Sequence, residues 1–276
     1  MPGRVHGSAR LSFVRSGGAS RLDILDQRAP LRVLFPEPHD PGVPLAVLVT
    51  TSGGLVGGDV LDVSVTAGPG AAALVTTQAA EKVYRSEGAA CEIRLALEAA
   101  PGSWLEWLPN ETIVFDAAKL HRRTTVSLEA DARLLAGEIV VLGRLARGER
   151  FTSGTIHDGW EIRRDGRLVW VDAFRLAEDL AQAQASPAGL GGAGALATIV
   201  FAGEAAKRLA EPLATLAERL SNEDLRIGTT RIGDILLSRL LAKDPRALRS
   251  AFAELWAYLR AEAGSLSPRL PRLWSI

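Results

Sequence analysis

Read by hydrophobic and polar positions, the first two thirds of the chain are extended and the last third is mixed. Residues 9–14 and 20–27 alternate one by one around Ser16-Gly17-Gly18, which predicts an opening β-hairpin. Residues 29–36 are extended, and the three prolines within 37–44 rule out a helix there. Residues 45–51 form an apolar run closed by threonines, followed by Ser52-Gly53-Gly54-Leu55-Val56-Gly57-Gly58-Asp59. Two glycine pairs allow a sharp turn close to another segment, with Asp59 held at its end. Residues 60–66 and 72–77 then predict two strands about Ala67-Gly68-Pro69-Gly70, and the polar stretch 76–86 carries Glu81.

This pattern recurs. Residues 92–98 alternate, Ala100-Pro101-Gly102 turns, and 103–108 resumes before the polar Pro109-Asn110-Glu111. In a third copy, 124–129 alternates, Ala130-Asp131-Ala132 turns, and 133–136 leads into Gly137-Glu138. Gly70, Gly102 and Ala132 occupy equivalent turns 32 and 30 positions apart. Two strands and a turn cannot bury their own apolar face, so repeated units of this kind stack as β-coils. An ordinary β-sandwich with frequent turns accounts for the spacing equally well.

Another hairpin is expected at 160–172 around Asp165-Gly166, and a glycine- and alanine-rich loop at 186–194. Beyond it, 196–201 predicts a strand. Residues 204–220 carry Leu209, Leu213, Leu216 and Leu220 at helical spacing, with Pro212 as a source of a kink. Residues 235–241 fit a short strand or a short helix, the Gly233-Asp234 before them favouring a hairpin. Asp244-Pro245 is a cap followed by proline at the first helical position. Leu248, Phe252, Leu255, Trp256 and Leu259 then form one apolar stripe as far as Gly264.

Composition narrows the function classes. Lys plus Arg equals Asp plus Glu at 32 each, so no overall field draws the chain to nucleic acid or to an anionic membrane. No apolar run approaches a membrane span, and residues 1–20 lack the apolar core of a signal peptide. The single cysteine, Cys91, cannot make an internal disulfide or a cysteine zinc site and is expected as a small buried hydrophobe. These features point to the cytoplasm. Serine-hydrolase, zinc-protease and Walker signatures are missing, and no two of His6, His39, His121 and His157 share a helical turn. The His157-Asp158 pair is expected in a loop.

Acids do recur at equivalent places: Glu81 after the first coil, Glu111 after the second and Glu138 in the third, with Asp59 and Asp116 nearby. Stacking would bring these carboxylates together. They then either form an acidic passage or weak divalent-cation site, or pair with Lys82, Arg85, Lys119, Arg144 and Arg147. Buried charges are usually paired, which favours the second.

Four ordered motifs resemble the urease accessory protein UreD (UreH) family. They are 50–59, 76–86, 108–116 and 137–144, and the likeness extends through the Trp160 hairpin to Pro271-Arg272-Leu273-Trp274. Asn110 stands where many relatives carry Gln, which keeps the amide. The resemblance implies a mainly β, β-helical fold with about two helices, as one domain over 1–276, β-rich in 1–185 and β plus two helices in 195–264. It also implies a non-catalytic scaffold that docks on urease apoprotein and binds UreF and, through it, the GTPase UreG. Such a scaffold would have no tightly bound cofactor but would pass Ni2+ transiently. Asp59, Glu81, Glu111 and Glu138 are the expected route, because hard carboxylates hold nickel weakly enough to release it.

Two other classes remain in view. A glycan hydrolase on a β-solenoid would use paired acids from the same set, but needs an aromatic groove, and the six tryptophans are scattered. A metal-storage protein would need more His or Cys. Ala-rich strands and an apolar docking face lead us to expect poor solubility without UreF.

Overall fold

The computed structural model describes residues 4–274. The opening hairpin is present: β1 (His6–Ser16) and β2 (Ala19–Arg28) pair antiparallel across Gly17-Gly18, both at positive φ. Next, β3 (Leu31–Leu34) pairs antiparallel with β4 (Leu45–Thr50). The double-glycine turn then brings the chain against the strand that follows one coil later. A Cβ on Gly54, at φ +144°, would stand 2.8 Å from the Lys82 carbonyl oxygen, and the neighbouring Leu55 amide donates to that oxygen at 2.7 Å.

Three coils follow. The first is β5 (Val60–Ala67), β6 (Ala72–Thr77) and the short β7 (Glu81–Val83). In the second, β8 (Cys91–Ala99), β9 (Trp104–Leu108) and β10 (Thr112–Val114) repeat the course. The third has β11 (Lys119–Leu128) and β12 (Arg133–Leu142). Strands at equivalent places pair in parallel: β5 with β8 and β8 with β11, and likewise β6 with β9 and β9 with β12. Ala72 lies opposite Trp104, and Trp104 opposite Arg133, so the repeat is one coil of the stack. This selects the stacked-coil architecture, since a sandwich of hairpins would pair its sequence neighbours antiparallel. The solenoid runs for about four turns.

A hairpin of β13 (Thr155–Arg164) and β14 (Arg167–Leu176) turns at Asp165-Gly166 and completes a seven-stranded sheet in the order β14-β13-β11-β8-β5-β1-β2. The second sheet continues from β12 into β15 (Ala195–Ala202), β17 (Ile235–Ala242) and β16 (Leu225–Ile232), all antiparallel. The ambiguous segment at 235–241 is therefore a strand. A short helix, α1 (Leu180–Ala185), was not legible because six residues carry too little periodicity. The expected helices are α2 (Ala206–Leu220), with Pro212 inside it, and α3 (Pro245–Gly264), capped by the Asp244 carboxylate accepting from the Arg246 amide at 3.0 Å.

Two apolar layers result. Leu11, Phe13, Val65, Leu97, Leu105 and Leu120 fill the space between the sheets. On the other side of the second sheet, Leu135, Ile139 and Phe201 meet Leu213, Phe252, Leu255 and Trp256 of the two long helices. β12 serves both layers, through Leu134, Ala136 and Val140 on one face and Leu135, Ile139 and Val141 on the other. Gly137 and Glu138 thus lie inside this strand, which continues beyond residues 133–136 to Leu142, with Glu138 within the third coil as expected. A strand buried on both faces loses the alternation that marks its limits.

Among the described residues, no helix is long and apolar enough to cross a membrane.

Candidate functional site

Between the two sheets, near the end of the first coil, lies an interior cavity of about 80 Å³. A single water needs roughly 10–15 Å³ by this measure, so there is room for several small polar groups. Leu61, Val63, Leu95 and Trp107 form its apolar wall. Its polar wall includes Thr50, Glu81, Asn110, Arg122, Glu138 and Trp160, brought from six strands or turns that the stacking places side by side.

Glu81 reaches the cavity from the start of β7. Its backbone amide donates to the Glu111 carbonyl at 2.8 Å, and its carboxylate accepts from Thr50 Oγ1 at 2.5 Å. Burial pushes its pKa up, with the threonine hydroxyl and Lys82 opposing. Asn110 fixes the neighbouring turn by donating from Nδ2 to the Thr77 carbonyl at 2.6 Å, and its backbone amide donates to Thr77 Oγ1 at 2.8 Å.

Glu138 enters from β12 and meets Arg122 of β11, with Nη2 to Oε2 at 2.7 Å. Arg122 also donates from Nε to both carboxylate oxygens of Asp158 on β13, at 3.0 and 3.1 Å, and from Nη1 to Thr112 Oγ1 at 3.1 Å. One guanidinium therefore neutralises one of two buried carboxylates. Burial, with the Asp158 charge adding, pushes Glu138 up to about 8, against the pull of Arg122. Burial also works against the charge on Arg122, but Asp158 and Glu138 more than offset it and raise its pKa. The indole N–H of Trp160, buried at the same wall, lies close enough to Glu138 to favour its carboxylate form, although it falls short of hydrogen-bond geometry.

The other two expected route acids lie elsewhere. Asp59 is buried and accepts from the amides of Val5 and Val56, each at 3.0 Å, so it ties the glycine turn to the N-terminal segment. Glu111 points to the opposite face of its sheet and pairs with Arg249 of α3 at 2.7 Å. Asp116 accepts from the amides of Thr152 and Ser153 at 2.7 and 2.9 Å; these bonds outweigh its partial burial and lower its pKa. Stacking thus brings Glu81 and Glu138 to one cavity. Among the described residues, no three His, Cys, Asp or Glu side chains are grouped to hold a metal ion.

Pairing of the acids was expected, but with the wrong cations. Arg122 and Arg249 take the roles assigned to Lys82, Arg85, Lys119, Arg144 and Arg147, although Arg144 does pair with Glu149 at 2.5 Å. The signal for Arg122 was present: Val126 and Leu128 face inward, and the same parity extended back through Thr124 reaches Arg122. The His157-Asp158 pair lies within β13, with Asp158 inside and His157 outside.

A further buried acid, Glu106, is also paired. It accepts from Trp104 Nε1 at 2.9 Å, Trp256 Nε1 at 3.0 Å and Arg260 Nε at 2.9 Å, clasping α3 to β9. Cys91 is buried as expected, and burial, with Asp59 and Glu81 adding, pushes its thiol up to about 12.

Comparison with known proteins agrees with the motifs. The family described as UreD urease accessory protein matches residues 5–275. A urease accessory protein UreD of Magnetococcus marinus is 46% identical over 275 residues, covering 99% of this chain and 94% of that one. Another of the same name from Xanthobacter autotrophicus is 40% identical over 273 residues, covering 99% and 90%. A urease accessory protein UreD 1 of Brucella abortus is 39% identical over 275 residues, covering 99% and 95%.

Proposed function

The chain belongs to the UreD urease accessory protein family, and from that membership we propose that it acts in urease maturation as a non-catalytic scaffold through which nickel passes. In this reading it works in the cytoplasm, docks on urease apoprotein and binds UreF, which brings the GTPase UreG. Ni2+ crosses it transiently, with no tightly bound cofactor. The single observation that carries the nickel part is the interior cavity with Glu81 and Glu138 in its wall.

Carboxylate oxygens suit a transit role, because they hold a borderline divalent ion less firmly than thiolates or clustered imidazoles do. Arg122 shapes how Glu138 takes part. A dication is repelled by a guanidinium 2.7 Å from the carboxylate it would use, and burial holds a proton on that carboxyl, so Glu138 serves the passage once it gives up the proton and Arg122 is drawn onto Asp158. Asp59 and Glu111, committed to Val5, Val56 and Arg249, lie outside the cavity.

Co-expression with UreF, UreG and urease apoprotein, affinity capture of this chain, and a urease assay with and without it test the scaffold. Retention of UreF and urease, with activity dependent on the chain, is the expected result. Capture of neither, with activity unchanged, would overturn it.

A further inference from the structure

On the face of the second sheet away from the cavity, a groove of about 740 Å³ runs between the turn after β12 and the first turn of α3. Its floor is apolar, built by Ile113, Val141, Leu145 and Pro245. Its rim is basic, with Arg144, Arg147, Lys243, Arg246 and Arg249 against the acids Glu111 and Asp244.

Three of these cations are engaged. Arg249 pairs with Glu111 at 2.7 Å and lies over the Trp274 ring at 4.2 Å; Arg144 pairs with Glu149 at 2.5 Å; and Lys243 pairs with Asp224 at 2.6 Å. The Asp244 carboxylate is used by the Arg246 amide. Arg147 and Arg246 are exposed and have no ion-pair partner among the described residues. Since the whole chain carries equal numbers of acidic and basic side chains, this local excess is not the overflow of a basic protein.

We propose that the groove is a docking site for an acidic, partly apolar segment of a protein partner, with carboxylates on Arg147 and Arg246 and apolar side chains on the floor. Charge complementarity selects the acidic partner, and the floor selects a peptide over a bare phosphate chain, which has nothing to place there. The proposal rests on the scaffold reading, since it needs a protein partner.

The test uses the purified full chain and a fluorescein-labelled helical peptide with a leucine stripe flanked by glutamates. A control peptide carries Gln for Glu, and a single-stranded oligonucleotide serves as competitor. Binding should weaken as salt is raised and fall about tenfold or more in R147E/R246E and with the Gln peptide. Both positions are exposed, and an unchanged melting temperature of the variant confirms that its fold is intact. Equal binding by the Gln peptide, equal binding by the variant, or displacement by the oligonucleotide would overturn the proposal. R147E/R246E is then co-expressed with the urease proteins. If wild type supports urease activation and the variant captures the same partners in the same amounts, the groove is refuted and the scaffold reading stands. If wild type itself supports no activation, the scaffold reading has failed instead.

Discussion

Arg122 and Asp158 stand directly opposite one another on parallel strands, and the guanidinium donates through one nitrogen to both carboxylate oxygens inside the molecule. With Glu138 on the same arginine, this makes a buried triad beside the cavity. Removing one member of such a cluster leaves a charge without its partner, whereas replacing the whole cluster with neutral groups does not.

Arg122→Met should therefore destabilise the protein by about 3–5 kcal/mol. Adding Asp158→Asn and Glu138→Gln to that variant should recover most of the loss. Chemical denaturation of the single and triple variants checks this, and a triple variant no more stable than the single one would show that the arginine acts mainly through packing.

The pH dependence follows from Glu138, whose native pKa of about 8 lies above its ordinary 4.5. Between these values the native state holds a proton that the unfolded chain has lost, so the contribution of Glu138 is full below about 4.5 and declines as pH rises toward 8. Glu81, also raised by burial, acts in the same sense. Melting temperatures between pH 6 and 8.5 should fall less steeply for Glu138→Gln than for wild type. Parallel curves would place the titration on other groups.

Asp59→Ala should cost about 1–3 kcal/mol, because the amides of Val5 and Val56 lose their hydrogen bonds to a buried carboxylate. Nickel loading should follow stability alone. A variant with unchanged stability and reduced nickel loading would return Asp59 to the route.

At Gly137, an added Cβ would come within 2.7 Å of the Phe252 ring and 2.9 Å of the Thr198 carbonyl oxygen. Gly137→Ala should therefore destabilise the contact between β12 and α3 by roughly 1–3 kcal/mol. Phe252→Leu in the same chain should lessen the effect if the ring is the obstacle, as differential scanning calorimetry would show.

Much of this fold was readable in the sequence. The turns at Gly70, Gly102 and Ala132 marked the coils, and Asp244-Pro245 with its apolar stripe marked α3, because local patterns determine those features. The site was readable only in part. Glu81 and Glu138 were brought together by stacking, as their repeat positions implied. Glu111 was not: its side chain leaves the opposite face of the sheet from Thr112, and a one-residue change of parity decides between cavity and groove. Asp59 was lost from the cavity because two backbone amides fifty and more residues apart in sequence meet at it, a contact that no local pattern records.

Passage of nickel along Glu81 and Glu138, as proposed, is tested by the nickel content of urease purified from cells in which this chain carries Glu81→Gln and Glu138→Gln, with partner capture measured in parallel. Nickel per urease should fall roughly tenfold or more while UreF and urease are still captured. Full nickel loading in the double variant would contradict it.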